Sequence, residues 1–363
     1  MNLLKQQWWK WICVAIMLYV TAGGLLVPLG PGIPNVEPLV FKADTTYTFK
    51  VYTYNTHFTD VAANQTQVWF KNDNNYFCPT EVKVIDNTLL EVKFAVPAAA
   101  QSTFRYANFD VIANNDIDGT FALRDAVTLI KSKKEVSDTA LQMTYCIPEV
   151  EHNKTSLLVF PFREILQQTI RNTFFHVPMW FAMTVMVIIS LAAGLLFLWK
   201  GDLKYDIYAS QAVLIAIVFG WCGYFTGVLW SKYTWFIGIG WEKAIRNMVY
   251  QDIKLAGALT AIAIYTAYFL VRKLIDDPLQ RAKISAIYNI FSLVLFGLLI
   301  YVLPRLTDSV HPGNGGNPAF SKYDLDSTLR MFFYPAAIGW IMFSVWIYSI
   351  ALRLNFLQQK SKG

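Results

Sequence analysis

Two of the four histidines stand where a membrane would begin. His176 lies in Arg171-Asn172-Thr173-Phe174-Phe175-His176-Val177-Pro178-Met179-Trp180, where a polar segment turns into a long apolar run. His311, in Asp308-Ser309-Val310-His311-Pro312, sits just past the end of another. A metal ligand must be a neutral imidazole held in orientation, and a proline close by stiffens the backbone that presents it. Two histidines without cysteines or clustered carboxylates make a poor zinc site, which wants four ligands. They suit a centre that already supplies four equatorial nitrogens and leaves two axial positions, namely haem. Either histidine alone, at the edge of an apolar span, can instead simply reach water. The other two, His57 and His152, fall in a part of the chain with a soluble character.

A second cluster of chemically useful residues lies in Gly227-Val228-Leu229-Trp230-Ser231-Lys232-Tyr233-Thr234-Trp235-Phe236-Ile237-Gly238-Ile239-Gly240-Trp241-Glu242. Trp230, Trp235 and Trp241, with Tyr233 and Phe236, can form a flat apolar surface for a planar ligand. Lys232, Lys243 and Arg246 can meet carboxylates carried by that ligand, with arginine the better bidentate donor. An aromatic belt at a membrane interface has the same composition, so both readings stand at this level.

The elements that must position these residues follow from composition. The chain has 363 residues, 55% hydrophobic and only 15% charged, too apolar for an ordinary soluble domain. Its net charge of +6 is spread along the sequence, which argues against nucleic-acid binding. Apolar runs at residues 11–27, 177–198, 207–229, 253–271, 284–302 and 333–352 are each about long enough to cross a bilayer core. The first also has the features of a cleaved signal peptide, but Trp8, Trp9 and Trp11 and its length favour a retained span.

Between the first and second runs the period changes to two. Tyr47, Phe49, Val51 and Thr53 alternate with Thr48, Lys50 and Tyr52, and Asn- and Asp-rich turns separate further short strand-like segments. The expected fold is therefore an α-helical membrane protein of six transmembrane helices with a β-sandwich-like extracytoplasmic domain inserted after the first. The expected divisions are residues 1–30 for the N-terminal segment and first span, 31–160 for the β-rich domain, 161–176 for an interfacial helix and 177–363 for a five-helix membrane domain. Cys78 and Cys146 fall in the β-rich part, where a disulfide and a pair of buried thiols are both open.

Lys and Arg weigh toward one set of connecting segments. With the N-terminus inside, the inner segments carry Lys5, Lys10, Lys200, Lys204, Arg272, Lys273, Arg281, Lys283, Arg353, Lys360 and Lys362, and the opposite short segments fewer. That places both termini inside, and the β-rich domain, the aromatic loop, His176 and His311 outside.

Three pieces in this order resemble a known family. Phe175-His176-Val177-Pro178 opens a span, Thr226-Gly227-Val228-Leu229-Trp230-Ser231-Lys232 leads into a tryptophan-rich outer loop, and Ser309-Val310-His311-Pro312 follows the fifth run. Over residues 165–354 and the first span, the chain resembles the CcmC-type haem-handling membrane proteins of c-type cytochrome biogenesis, within the CcmC/CcsA group. The resemblance implies axial haem ligation by His176 and His311 and a porphyrin held by Trp230, Trp235 and Trp241. It also implies a bacterial inner-membrane location, a periplasmic haem chaperone of the CcmE type as acceptor, and an ABC-type CcmA/CcmB complex as assembly partner. Gly238 and Ile239 stand where that family has further tryptophans, Glu242 replaces an aspartate, and the β-rich insertion is outside the family core.

The sequence offers no nucleophile and base, phosphate loop or paired acid/base carboxylates, so cofactor transfer is expected and enzymatic bond-making is not. The alternative is a haem-free anchor whose β-rich domain recruits a periplasmic partner. A small-molecule transporter is disfavoured by the scarcity of ionisable residues in mid-span.

Overall fold

The computed structural model describes residues 2–42, 45–73, 75–96, 106–130, 158–306 and 325–362. It divides into two compact units, one of residues 1–27 and 168–363, the other of residues 28–167. Among the described residues, six helices are long and apolar enough to cross a membrane, as the apolar runs predict. The helical unit consists of α1 (Asn2–Leu26), α2 (His176–Lys200), α3 (Lys204–Thr234), α4 (Trp241–Tyr250), α5 (Ile253–Lys273), α6 (Pro278–Gly297), α7 (Leu303–Leu306) and α8 (Ser327–Lys362). Most extend past their apolar runs, because a run marks only the hydrocarbon-facing part while the hydrogen-bond ladder continues to a capping residue. Gly201 closes α2 in the left-handed conformation at φ 69°, and Asp277 with Pro278 opens α6.

Small and apolar side chains of α2, α3 and α5 build the centre of the helical unit, including Ala182, Met183, Met186, Ala216, Phe219, Ala261 and Tyr265. Between helices in lipid there is no hydrophobic drive, so in a bilayer packing and interhelical hydrogen bonds would hold the bundle. Asn289 donates to Ser190 Oγ at 2.7 Å, and Ser190 donates to the Ala209 carbonyl at 2.9 Å, tying α6, α2 and α3 together. At the end of α3 away from its tryptophans, Arg272 of α5 grips Asp206 through two bonds of 2.5 and 2.8 Å. In α8, Pro335 has no N–H to offer the Met331 carbonyl one turn back, and Tyr19 of α1 donates to that carbonyl at 3.3 Å.

The unit of residues 28–167 consists of two sheets. One has β1 (Gly32–Glu37), β3 (Thr45–Tyr54), β7 (Leu89–Val96) and β6 (Glu81–Asp86) in that spatial order. The other has β2 (Val40–Lys42), β9 (Gly119–Ile130), β8 (Tyr106–Asn115), β4 (Gln67–Asn72) and β5 (Asn75–Phe77). Phe49 and Val51 face inward while Thr48 and Lys50 face out, which is the period of two seen in the sequence. Side chains of both sheets share one core, with Phe49 and Phe94 from the first meeting Phe70 from the second at ring separations of 5.1 and 4.4 Å. Cys78 is in a disulfide, Cys13 and Cys222 are free, and Cys146 lies outside the described residues.

Candidate functional site

His176 is the first residue of α2, and three layers of contacts fix where it stands. The first is the backbone before it. Gln167–Phe174 is a 3-10 helix, a tighter winding than the interfacial helix expected over 161–176. Its ladder is short, so side chains anchor it. Arg171 donates to the Gly24 and Val27 carbonyls at 2.8 and 2.7 Å, Asn172 donates to the Thr226 carbonyl at 3.0 Å, and the Phe174 carbonyl accepts from the Trp340 indole at 3.2 Å. Segments from α1, α3 and α8 thus hold the approach to His176.

The second layer is the close approach of α2 and α3. A side chain at Gly220 would meet the Met183 sulfur at 2.8 Å, one at Gly223 the Trp180 ring at 3.0 Å, and one at Gly227 the His176 ring at 2.7 Å. Three glycines on one face of α3 therefore let the helix bearing the histidine lie against its backbone.

The third layer sets the chemistry of the ring. His176 Nδ1 lies 2.9 Å from the Gly223 carbonyl and 3.2 Å from Thr226 Oγ1. A carbonyl only accepts, so in the neutral imidazole Nδ1 carries the proton and Nε2 carries the lone pair. This is the arrangement that orients metal-bound histidines, with the second nitrogen donating to a fixed acceptor. Trp230 and Trp180 meet the ring edge-on, at centroid distances of 5.6 and 6.4 Å. Trp230 is only 7% exposed, and its indole N–H donates to Thr169 Oγ1 at 3.1 Å.

The aromatic loop falls into two groups. Trp235 joins the first, 6.4 Å from Trp230. Trp241 and Tyr233 form the second, 6.4 Å apart and both exposed, with the Lys232 ammonium 5.6 and 5.9 Å from their rings and donating to the Phe236 carbonyl at 3.0 Å. Trp241 opens α4, which buries Ala244 and Met248 against Leu255 and leaves Arg246 exposed. Gly238 has φ 79°, and a side chain at Gly238 or Gly240 would meet nothing within 4 Å. His311 lies outside the described residues.

This donor set fits a haem on two counts: a ring nitrogen with its lone pair oriented, and indoles around and beyond that ring. Sequence reasoning overlooked the parts that orient His176, namely Gly223, Thr226, Trp180, Thr169 and Asn172. The Gly223-x-x-x-Gly227 spacing was the available signal for the close helix approach. No metal cluster of three or more His, Cys, Asp or Glu side chains occurs among the described residues.

No protein-family model matches the chain. Over 196 residues it is 23% identical to a protein of Bradyrhizobium diazoefficiens named heme exporter protein C, a match covering 54% of this chain and 70% of that protein.

Proposed function

We propose, starting from the likeness to a heme exporter protein C, that the helical unit takes up haem at one membrane surface and delivers it to an acceptor during c-type cytochrome maturation. The observation that carries this reading is the lock on His176, whose Nδ1–H is committed to the Gly223 carbonyl so that in the neutral ring Nε2 carries the lone pair. Haem, when bound, would supply an iron that takes two further nitrogen ligands. His176 offers one of them, and His311 is assigned the other by the resemblance of Ser309-Val310-His311-Pro312. Trp180 and Trp230 restrict rotation of the His176 ring. Trp235, Trp241 and Tyr233 offer apolar faces to the porphyrin, and Arg246 with Lys232 offers cations to its carboxylates.

The Lys and Arg distribution supports both termini inside and the haem site outside, together with the β unit, and the family resemblance supports a bacterial inner membrane. A CcmE-type chaperone is then the natural acceptor and a CcmA/CcmB complex the natural assembly, both drawn from the family resemblance. On this reading the protein would act as a handler of haem and not as an enzyme.

The test is the absorbance of the full-length protein purified in detergent from cells that supply haem. A Soret band that falls and shifts in His176→Ala and in His311→Ala supports the assignment. Normal spectra in both variants would falsify the ligands, and a wild-type protein without haem would favour the anchor reading.

A further inference from the structure

Pro304 and the turn before it give the fifth apolar helix a feature that the proposed haem handling does not use. Along Pro278–Leu306 the winding is α-helical to Gly297, π-helical over Leu298–Val302 and α-helical again in α7. Pro304 explains the change. In an α-helix its ring would collide with the Ile300 carbonyl one turn back, and it has no N–H to give that carbonyl. A widened turn removes the collision, and the Leu303 N–H then reaches back five residues to the Leu298 carbonyl. The extra residue rotates α7 by about 100° relative to a continuous α-helix.

Two neighbours are shaped to this turn. On α5, Gly257 faces it so closely that a side chain there would lie 2.9 Å from the Leu299 carbonyl oxygen. On α2, Thr184 Oγ1 lies 2.6 Å from the Tyr301 hydroxyl and 2.6 Å from the Trp180 carbonyl. The carbonyl only accepts, so Thr184 donates to Trp180 and Tyr301 donates to Thr184. This run of bonds ends on Trp180, one turn along α2 from His176, and the Trp180 indole packs edge-on against the His176 ring.

We infer that Tyr301 is a positioning residue: the π turn imposed by Pro304 swings its hydroxyl onto Thr184 and so locks the end of the fifth helix to the turn of α2 that orients His176. In the sequence His311 follows Leu306 by five residues, so the lock joins the two helices that lead to the two histidines. For its consequence on haem the inference rests on the proposed haem handling, but the lock itself does not.

Two measurements on the full chain separate these. In the first, haem retention and the low-spin to high-spin ratio are read by absorbance in Tyr301→Phe, Thr184→Val and Thr184→Ser. Loss of one interhelical hydrogen bond should weaken retention about two- to tenfold and raise the high-spin share in Tyr301→Phe and Thr184→Val. Thr184→Ser, which keeps the hydroxyl, should match wild type. A merely structural contact would lower stability in Tyr301→Phe and Thr184→Val without moving the spin state.

The second measurement needs no haem. Spin labels at Leu229→Cys and Arg305→Cys, with Cys13 and Cys222 replaced by serine, report the distance between the C-terminal part of α3 and α7. That distance should shift or broaden in Tyr301→Phe and in Pro304→Ala, and Tyr301→Phe keeps the measurement decisive should Pro304→Ala fail to fold. An unchanged distance overturns the lock whether or not haem binds. A shifted distance with haem-bound wild type and unaltered spectra in all variants overturns its role toward His176. A shifted distance with no haem in wild type sustains the lock and overturns the proposed haem handling.

Discussion

His176 in the helical unit and His57 in the β unit are held in the same way and surrounded by different things. Each has Nδ1 against a fixed acceptor, Gly223 carbonyl for His176 at 2.9 Å and Asp118 carboxylate for His57 at 2.7 Å. Around His176 stand Trp180, Trp230 and, beyond them, Trp235. Around Asp118 the contacts are polar: it also accepts from the His57 backbone N–H at 2.7 Å and from the Asn115 amide at 2.6 Å, and its side chain is only 4% exposed against 48% for His57. The acceptor organises the surroundings in one case, and the imidazole is presented to them in the other. A held histidine alone thus does not mark a site for a planar ligand, and the indoles are what distinguish the surroundings of His176 from those of His57.

The comparison breaks most directly by exchanging the two roles. His176→Ala should remove most of the bound haem, whereas His57→Ala should leave occupancy and spectrum unchanged. A haem deficit in His57→Ala of similar size would erase the distinction. Asp118→Ala should do the reverse. It strands a buried donor of Asn115 and a part-buried one of the His57 backbone, so the β unit should lose about 2 to 4 kcal/mol in a denaturation experiment, with the haem spectrum intact. An unaltered melting curve would show that Asp118 does not organise its loop.

Smaller effects sharpen the account of the helical site. Gly227→Ala puts a carbon 2.7 Å from the His176 ring and should displace it, lowering haem occupancy, while Gly240→Ala meets open space and should be silent. Equal occupancy in the two variants would contradict the close-approach argument. Trp235→Ala and Trp241→Ala should each weaken haem retention by about 1 to 3 kcal/mol, the worth of a lost aromatic face, as measured by haem transfer to an apo-acceptor in solution. A change at Trp241 alone would move the haem surface toward α4, and a change at Trp235 alone would confine it to the group around His176. The smallest effect is expected at Tyr19→Phe, which deprives the Met331 carbonyl of a donor and should cost about 1 kcal/mol at the α1 and α8 contact.

The places where sequence reading stops short have physical reasons. Apolar runs reveal helices because a span must satisfy its backbone internally, and the six runs correspond to six helices. Alternation over residues 47–53 reveals a strand because one face is buried. Within the 161–176 segment, Gln167–Phe174 winds as a 3-10 helix. Apolar spacing announces a helical segment there, but side chains reaching α1 and α3 decide the winding. The loop's aromatic residues are legible as a group, yet only packing separates Trp230 and Trp235 from Trp241 and Tyr233.

What the sequence determined by itself is whatever rests on near neighbours or on solvent: the apolar lengths, the alternation, and a histidine where a span begins. What only the tertiary structure decided is whatever needs atoms far apart in the chain to meet. The proton on His176 is placed by a carbonyl 47 residues later, and the Tyr301 hydroxyl finds its acceptor 117 residues earlier. Pro304 dictates a widened turn locally, but no local rule says which helix that turn will face. Hydrogen-bond direction is short-ranged and angular, so it is settled only when the helices have packed.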